Sequence, residues 1–186
     1  MGVNRTPRGR HADEGVGSGG MASAKDDRLN EAVRLRLKGD LPGACAILLG
    51  LVAEFPADPL VNYQCAWIHD RLGLERKAVE YYERALKHGL VGDDRAGAYL
   101  GLGSTLRGLG QYPKALSVLD EGAKEFPEHR PLRVFRAMAL YNGKRAKESV
   151  GELLKLLAET SSDPEITAFK RAILFYAEDL DRVWEK

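Results

Sequence analysis

From Asp26 onward, apolar side chains recur at intervals of three and four residues, and the period-two alternation of a half-buried strand is missing. Gly, Pro and Asp interrupt this pattern at Gly39-Asp40, at Pro56 to Pro59, at Gly73, between Gly89 and Asp94, at Gly110, Pro127 and Gly143, and between Ser161 and Pro164. Each stretch between interruptions is long enough for about three turns of helix. The pattern predicts an all-α chain of short antiparallel helices joined by tight turns.

The interruptions are themselves periodic. Gly39 and Gly73 lie thirty-four residues apart, as do Ala44 and Ala78, each five residues after its glycine. Gly110 and Ala115 repeat the pair after thirty-seven residues, the connector from Gly89 to Arg95 supplying the extra length. A fixed period of this size marks stacked helical hairpins. It divides the chain into four units near 25–58, 59–95, 96–129 and 130–163, with a first-helix-only capping unit from Pro164. The repeat domain then covers 25–177, followed by a tail at 178–186.

Within the units, small residues hold register. The eighth positions are Ala32, Ala66, Gly103 and Ala137, and the twentieth are Ala44, Ala78, Ala115 and Ser149. Two helices of a hairpin approach most closely where both carry small side chains. Large residues fill the gaps elsewhere, as with Leu48, Tyr82 and Leu119 at the twenty-fourth position. Glycine ends a first helix because it accepts the left-handed cap conformation, and proline after a second helix stops it. Three positions depart from the pattern. Leu51 stands where a small residue is usual, and Arg136 takes an apolar position. Gly143 precedes the expected turn position at Lys144, which allows a one-residue slip in the fourth unit.

On these residues the sequence resembles the tetratricopeptide repeat family over roughly 25–177. The resemblance implies a right-handed superhelix whose first helices line a concave groove that binds another polypeptide. The groove positions carried over are Tyr63, Trp67 and Arg71 in the second unit, Leu100 and Arg107 in the third, and Phe135, Met138 and Tyr141 in the fourth. Trp67, Phe135, Met138 and Tyr141 are the expected apolar anchors, and the third unit's glycines are expected to admit a ligand backbone. Arg36, Arg71 and Arg107 fall at the twelfth or thirteenth position of successive units, as a ladder suited to carboxylate or phosphate. The alternative is arginines solvated at helix ends. The Lys and Asn clamp of the family's chaperone-tail binders is absent, since Leu29, Val33, Tyr63, Trp67, Leu100 and Ser104 occupy its positions. A protein or peptide is therefore the expected partner. The alternatives are a homodimer through the groove or the solenoid ends, and self-occupation of the groove by the tail that carries Trp184.

Composition narrows the remaining classes. With 28 basic and 27 acidic residues the formal net charge is +1, which disfavours nucleic acid. Cys45 and Cys65 form no metal-ligand spacing, and both read as reduced core thiols. No pair among His11, His69, His88 and His129 has metal spacing, and no phosphate-loop, dinucleotide or nucleophile motif occurs. Neither an enzyme nor a cofactor is expected. Residues 1–24 are rich in Gly, Arg and Ser and read as a disordered leader. Its first residues fit a loose N-myristoylation pattern that carries little weight. No apolar run approaches a membrane span, and cytoplasm is the expected location.

Overall fold

The computed structural model describes residues 17–184, with side chains from Ala24. Eight helices form four hairpins: α1 (Gly17–Leu37) with α2 (Leu41–Glu54), α3 (Pro59–Arg71) with α4 (Glu75–Lys87), α5 (Gly92–Gly108) with α6 (Tyr112–Glu125), and α7 (Arg130–Asn142) with α8 (Ala146–Thr160). Two short helices follow, α9 (Pro164–Ala168) and α10 (Lys170–Ala177). Among the described residues there is no strand, in agreement with the all-α expectation. α1 starts at Gly17, inside the segment expected as leader up to residue 24. Met21, Ala22, Ala24 and Lys25 are good helix formers and extend it toward its start. The N-myristoylation pattern lies outside the described residues.

Helix starts are set by acidic caps and proline. Asp40 accepts the Gly43 N–H at 2.9 Å, Asp58 the Val61 N–H at 3.0 Å, and Asp163 the Glu165 N–H at 2.8 Å. Pro42, Pro59 and Pro164 occupy the first turns that follow, where no N–H is needed.

The hairpin turns share one geometry. At the second, the Gly73 N–H donates to Asp70 O at 3.0 Å and the Leu74 N–H to His69 O at 2.8 Å, with Gly73 at φ +70°. Gly39 and Gly110 repeat it at φ +86° and +74°. At the fourth turn it is Lys144 that enters the left-handed region, at φ +62°, while Gly143 stays at φ −77°. The Lys144 N–H donates to Tyr141 O and the Arg145 N–H to Leu140 O, as in the other turns. The fourth unit therefore does not slip: the cap bonds and burial hold the register even without glycine at the left-handed position.

From α1 to α8 each helix packs on the next, and the odd-numbered helices also touch one another: α1 with α3, α3 with α5, and α5 with α7. The helices α2, α4, α6 and α8 show no comparable contact among themselves, so the stack curves with the odd helices on its inner side, and α10 closes it by packing on α8. Ala44, Ala78 and Ala115 are fully buried at the hairpin crossings. At the fourth crossing the buried Ser149 hydroxyl donates to Ala137 O at 2.7 Å, which removes the cost of an unpaired hydroxyl. Leu51 is fully buried in one apolar cluster with Leu29, Leu48, Val61 and Ile68. Arg136 is accommodated by ion pairs to Asp120 and Glu152.

The capping unit is not one continuous helix. Phe169, at φ −98° and ψ 6°, separates α9 from α10, and its N–H donates to Ile166 O three residues back. The Thr167 hydroxyl bonds back to Asp163 O at 2.8 Å, a contact that bends helices. After α10 the tail turns back on that helix, where Trp184 stacks on Phe175 at 5.8 Å. Trp184 therefore packs on its own terminal helix, and Glu178 and Asp181 of the tail pair with Lys155 and Lys147 of α8.

Candidate functional site on the concave face

The inner helices bring two different surfaces together. On α1 and α3, two arginines lie over Trp67: the Arg36 guanidinium carbon is 4.2 Å from the ring centroid and that of Arg71 is 5.7 Å away. Trp67 and Arg36 are half-buried, whereas Arg71 is exposed. Burial, reinforced by the charge of Arg71, lowers the Arg36 pKa from its ordinary value. Further along, Arg107 on α5 donates to Asn142 Oδ1 on α7 at 3.1 Å. Beyond it on α7, Met138 and Tyr141 are 41% and 67% exposed, a large apolar area for one short helix.

The expected apolar groove is therefore corrected at its first half. Tyr63 is 8% exposed and belongs to the core. Its hydroxyl sits where a Gly97 Cβ would be, and the Tyr82 ring fills the same space at Gly101. Gly97 and Gly101 thus admit the chain's own tyrosines and not a ligand backbone, whereas Gly108 leaves open space. Leu100 and Phe135 are half-buried against the core, with edges on the inner side. The structure places Trp67 and Arg71 with Arg36 in a cationic strip, sets Arg107 against Asn142, and leaves Met138 and Tyr141 exposed on α7.

Polar contacts fasten the strip to the scaffold. Thr105 Oγ1 lies 2.9 and 3.0 Å from the two carboxylate oxygens of Asp70 and ties α3 to α5. Burial raises the Asp70 pKa, because no cation pairs with it. Four buried side-chain atoms on the inner helices find no hydrogen-bond partner: Arg36 Nε, Asn62 Oδ1, Gln64 Oε1 and Arg107 Nε. Gln64 gave little sequence signal, since an amide among apolar residues also reads as a satisfied core polar group. By contrast, His69 is consumed internally, with Nδ1 2.8 Å from Cys65 O. Cys65 is buried and its thiol is pushed up to about 12. Among the described residues no group of three or more His, Cys, Asp or Glu side chains is placed to hold a metal, and no helix is long and apolar enough to cross a membrane.

A second concavity, between α8 and α10, is lined by Arg136, Lys147, Glu152 and Lys155. Its charges are already paired, Lys147 with Asp181 and Lys155 with Glu178 at 2.8 Å.

Comparison with known proteins agrees with this architecture. The fold is similar to the crystal structure of YrrB, described as a TPR protein with an unusual peptide-binding site, with a TM-score of 0.65, 18% identity, and 83% of this chain and 78% of that chain covered. It is similar to Pseudomonas aeruginosa pilF, with a TM-score of 0.63, 20% identity, and coverage of 86% and 71%. It also matches a thermophilic TPR protein of Thermus thermophilus, with a TM-score of 0.58, 23% identity, and coverage of 84% of both chains. No curated protein sequence matches. A family model described as Tetratrico peptide repeat matches residues 59–180, well over half of the chain. With its hairpin period, left-handed turns and curved stack of inner helices, the chain belongs to the tetratricopeptide repeat family.

Proposed function

We propose that the protein is an interaction scaffold that binds a peptide or a partner helix along the concave face formed by α1, α3, α5 and α7. Membership of the family supports a role in protein–protein interaction in general. The observation that carries the finer reading is the unmet capacity of those helices: unpartnered polar atoms on Arg36, Gln64 and Arg107, and the exposed Met138 and Tyr141 further along. Native interiors leave few polar groups unpaired, so such a concentration on one inner surface calls for an external partner. In this reading Trp67 and Phe135 are side walls, and Met138 and Tyr141 are the exposed anchors. The role is that of an adaptor and not of an enzyme, and the location proposed is cytoplasmic.

An affinity capture comparing wild type with a Trp67→Ala/Phe135→Ala variant tests the proposal. Loss of prey in the variant supports it, and equal retention by both removes the groove from the account. A second reading, self-association through the solenoid end, is favoured by one observation: Phe169, Phe175 and Tyr176 are 66%, 51% and 53% exposed on a terminal unit that usually carries a polar outer face. Light scattering during size exclusion separates the two, since self-association requires a tight dimer.

A further inference from the structure

We propose that the first half of the groove takes an acidic, extended segment of a partner protein, whose side-chain carboxylates sit on Arg36, Arg71 and Arg107. This rests on the groove reading above and names the chemistry of its occupant.

The arginines of the other faces are largely neutralised within the fold. Arg28 meets Glu54 at 2.8 Å, Arg95 meets Glu125 at 2.7 Å, and Arg133 meets Glu152 at 2.5 Å. The three groove arginines have no carboxylate partner among the described residues, a state they share with Arg76, Arg171 and Arg182, but they alone recur at matching positions of successive inner helices. Asp70 is the neighbouring acid, but both its oxygens face Thr105 Oγ1. Asp94 acts on Arg36 only through space, without an ion pair.

Geometry adds to charge. A guanidinium stacked face-on over an indole keeps its in-plane N–H groups for a ligand, and Arg36 and Arg71 are both placed over Trp67. The Nε–H groups of Arg36 and Arg107 are buried and lack acceptors, so a ligand carboxylate would meet the terminal Nη groups. Gln64, more than nine-tenths buried, holds an unpartnered Oε1 on α3, the helix that carries Trp67 and Arg71. The cations are spread over α1, α3 and α5, so they match several acidic side chains along an extended strand better than a single terminal carboxylate. The chain's own N-terminal segment carries Arg5, Arg8 and Arg10 and is not complementary. A formal net charge of +1 and three cations give little purchase on a phosphate backbone.

The test is selection of a random twelve-residue phage library, displayed without a free C-terminus, on the full-length protein. Enriched sequences are then made as amidated peptides and titrated by fluorescence anisotropy. The expected result is enrichment in Asp and Glu, with affinity lowered about tenfold by Arg71→Gln and by Glu→Gln in the peptide. Arg71 is exposed, so this variant remains informative if Arg36→Gln or Arg107→Gln fails to fold. Enrichment of neutral or basic peptides that still depend on Trp67 and Phe135 overturns this inference and leaves the groove reading standing. No enrichment, or binding indifferent to every groove variant, removes both. Tighter binding of a 20-nucleotide oligothymidine than of any selected peptide also overturns the inference, in favour of single-stranded nucleic acid.

Discussion

Replacing Lys144 by glycine is expected to stabilise the protein by roughly 0.5–1 kcal/mol. Lys144 holds φ +62°, a region in which an L side chain costs about 1–2 kcal/mol. Glycine removes that strain but adds unfolded-state entropy of about 0.5–1 kcal/mol, which sets the net gain. Little else is lost, because Lys144 is exposed and the two cap bonds belong to the backbone. At this chain length the gain raises the melting temperature by about 2 °C. Thermal melting by circular dichroism, with urea unfolding at constant slope, measures it. The reciprocal change, Gly110→Lys, places a side chain at φ +74° where a Cβ meets nothing within 4 Å, so its cost is purely conformational and should mirror the gain. A destabilised Lys144→Gly, or a neutral Gly110→Lys, would refute the claim that this turn keeps its register against local preference.

Three further outcomes follow from the same contacts. Gly101→Ala should cost about 1–3 kcal/mol by urea unfolding, since its Cβ overlaps the Tyr82 ring, whereas Gly108→Ala, in open space, should not lose stability. Asp58→Ala should cost about 1–2 kcal/mol at pH 7, removing both the α3 cap and the 2.7 Å pair with Lys25. Burial opposes the Asp58 charge, but Lys25 and the Val61 N–H outweigh it and hold the carboxyl below its ordinary 3.8. The stabilisation is therefore present above that value and lost as pH falls through the folded pKa, so wild type and variant should converge once the pH is below it. In a Trp184→Phe background, Arg36→Ala should red-shift Trp67 emission by uncovering the indole, and an unchanged spectrum would mean that the stacked arrangement is absent.

Most of the architecture was legible because it depends on residues with few substitutes. Gly39, Gly73 and Gly110 mark left-handed turns, and Ala44, Ala78 and Ala115 mark close crossings, so their spacing reveals the repeat. The fourth turn was harder to read because Lys144 bears a strain that sequence reasoning assigns to glycine. The concave face was only partly legible. Register places Trp67, Arg71, Arg107, Met138 and Tyr141 on the inner helices, but register alone does not say which side chains lean into a neighbour. Tyr63 leans in because Gly97 leaves room for it, and Tyr82 does the same at Gly101. An aromatic residue thirty-four positions before a glycine on the next inner helix, as Tyr63 stands to Gly97, was the available signal. The stacking of Arg36 on Trp67 depends on the curvature of the whole stack, and neither residue announces it alone.

The most direct measurement places a photocrosslinking benzoyl-phenylalanine at Ser104 on the inner helix α5, or at the exposed Lys124 on the outer helix α6, and maps adducts formed with the selected peptide. The account predicts adducts from Ser104 and none from Lys124. Adducts from Lys124 alone would contradict it, because the partner would then be held on the convex side of the stack.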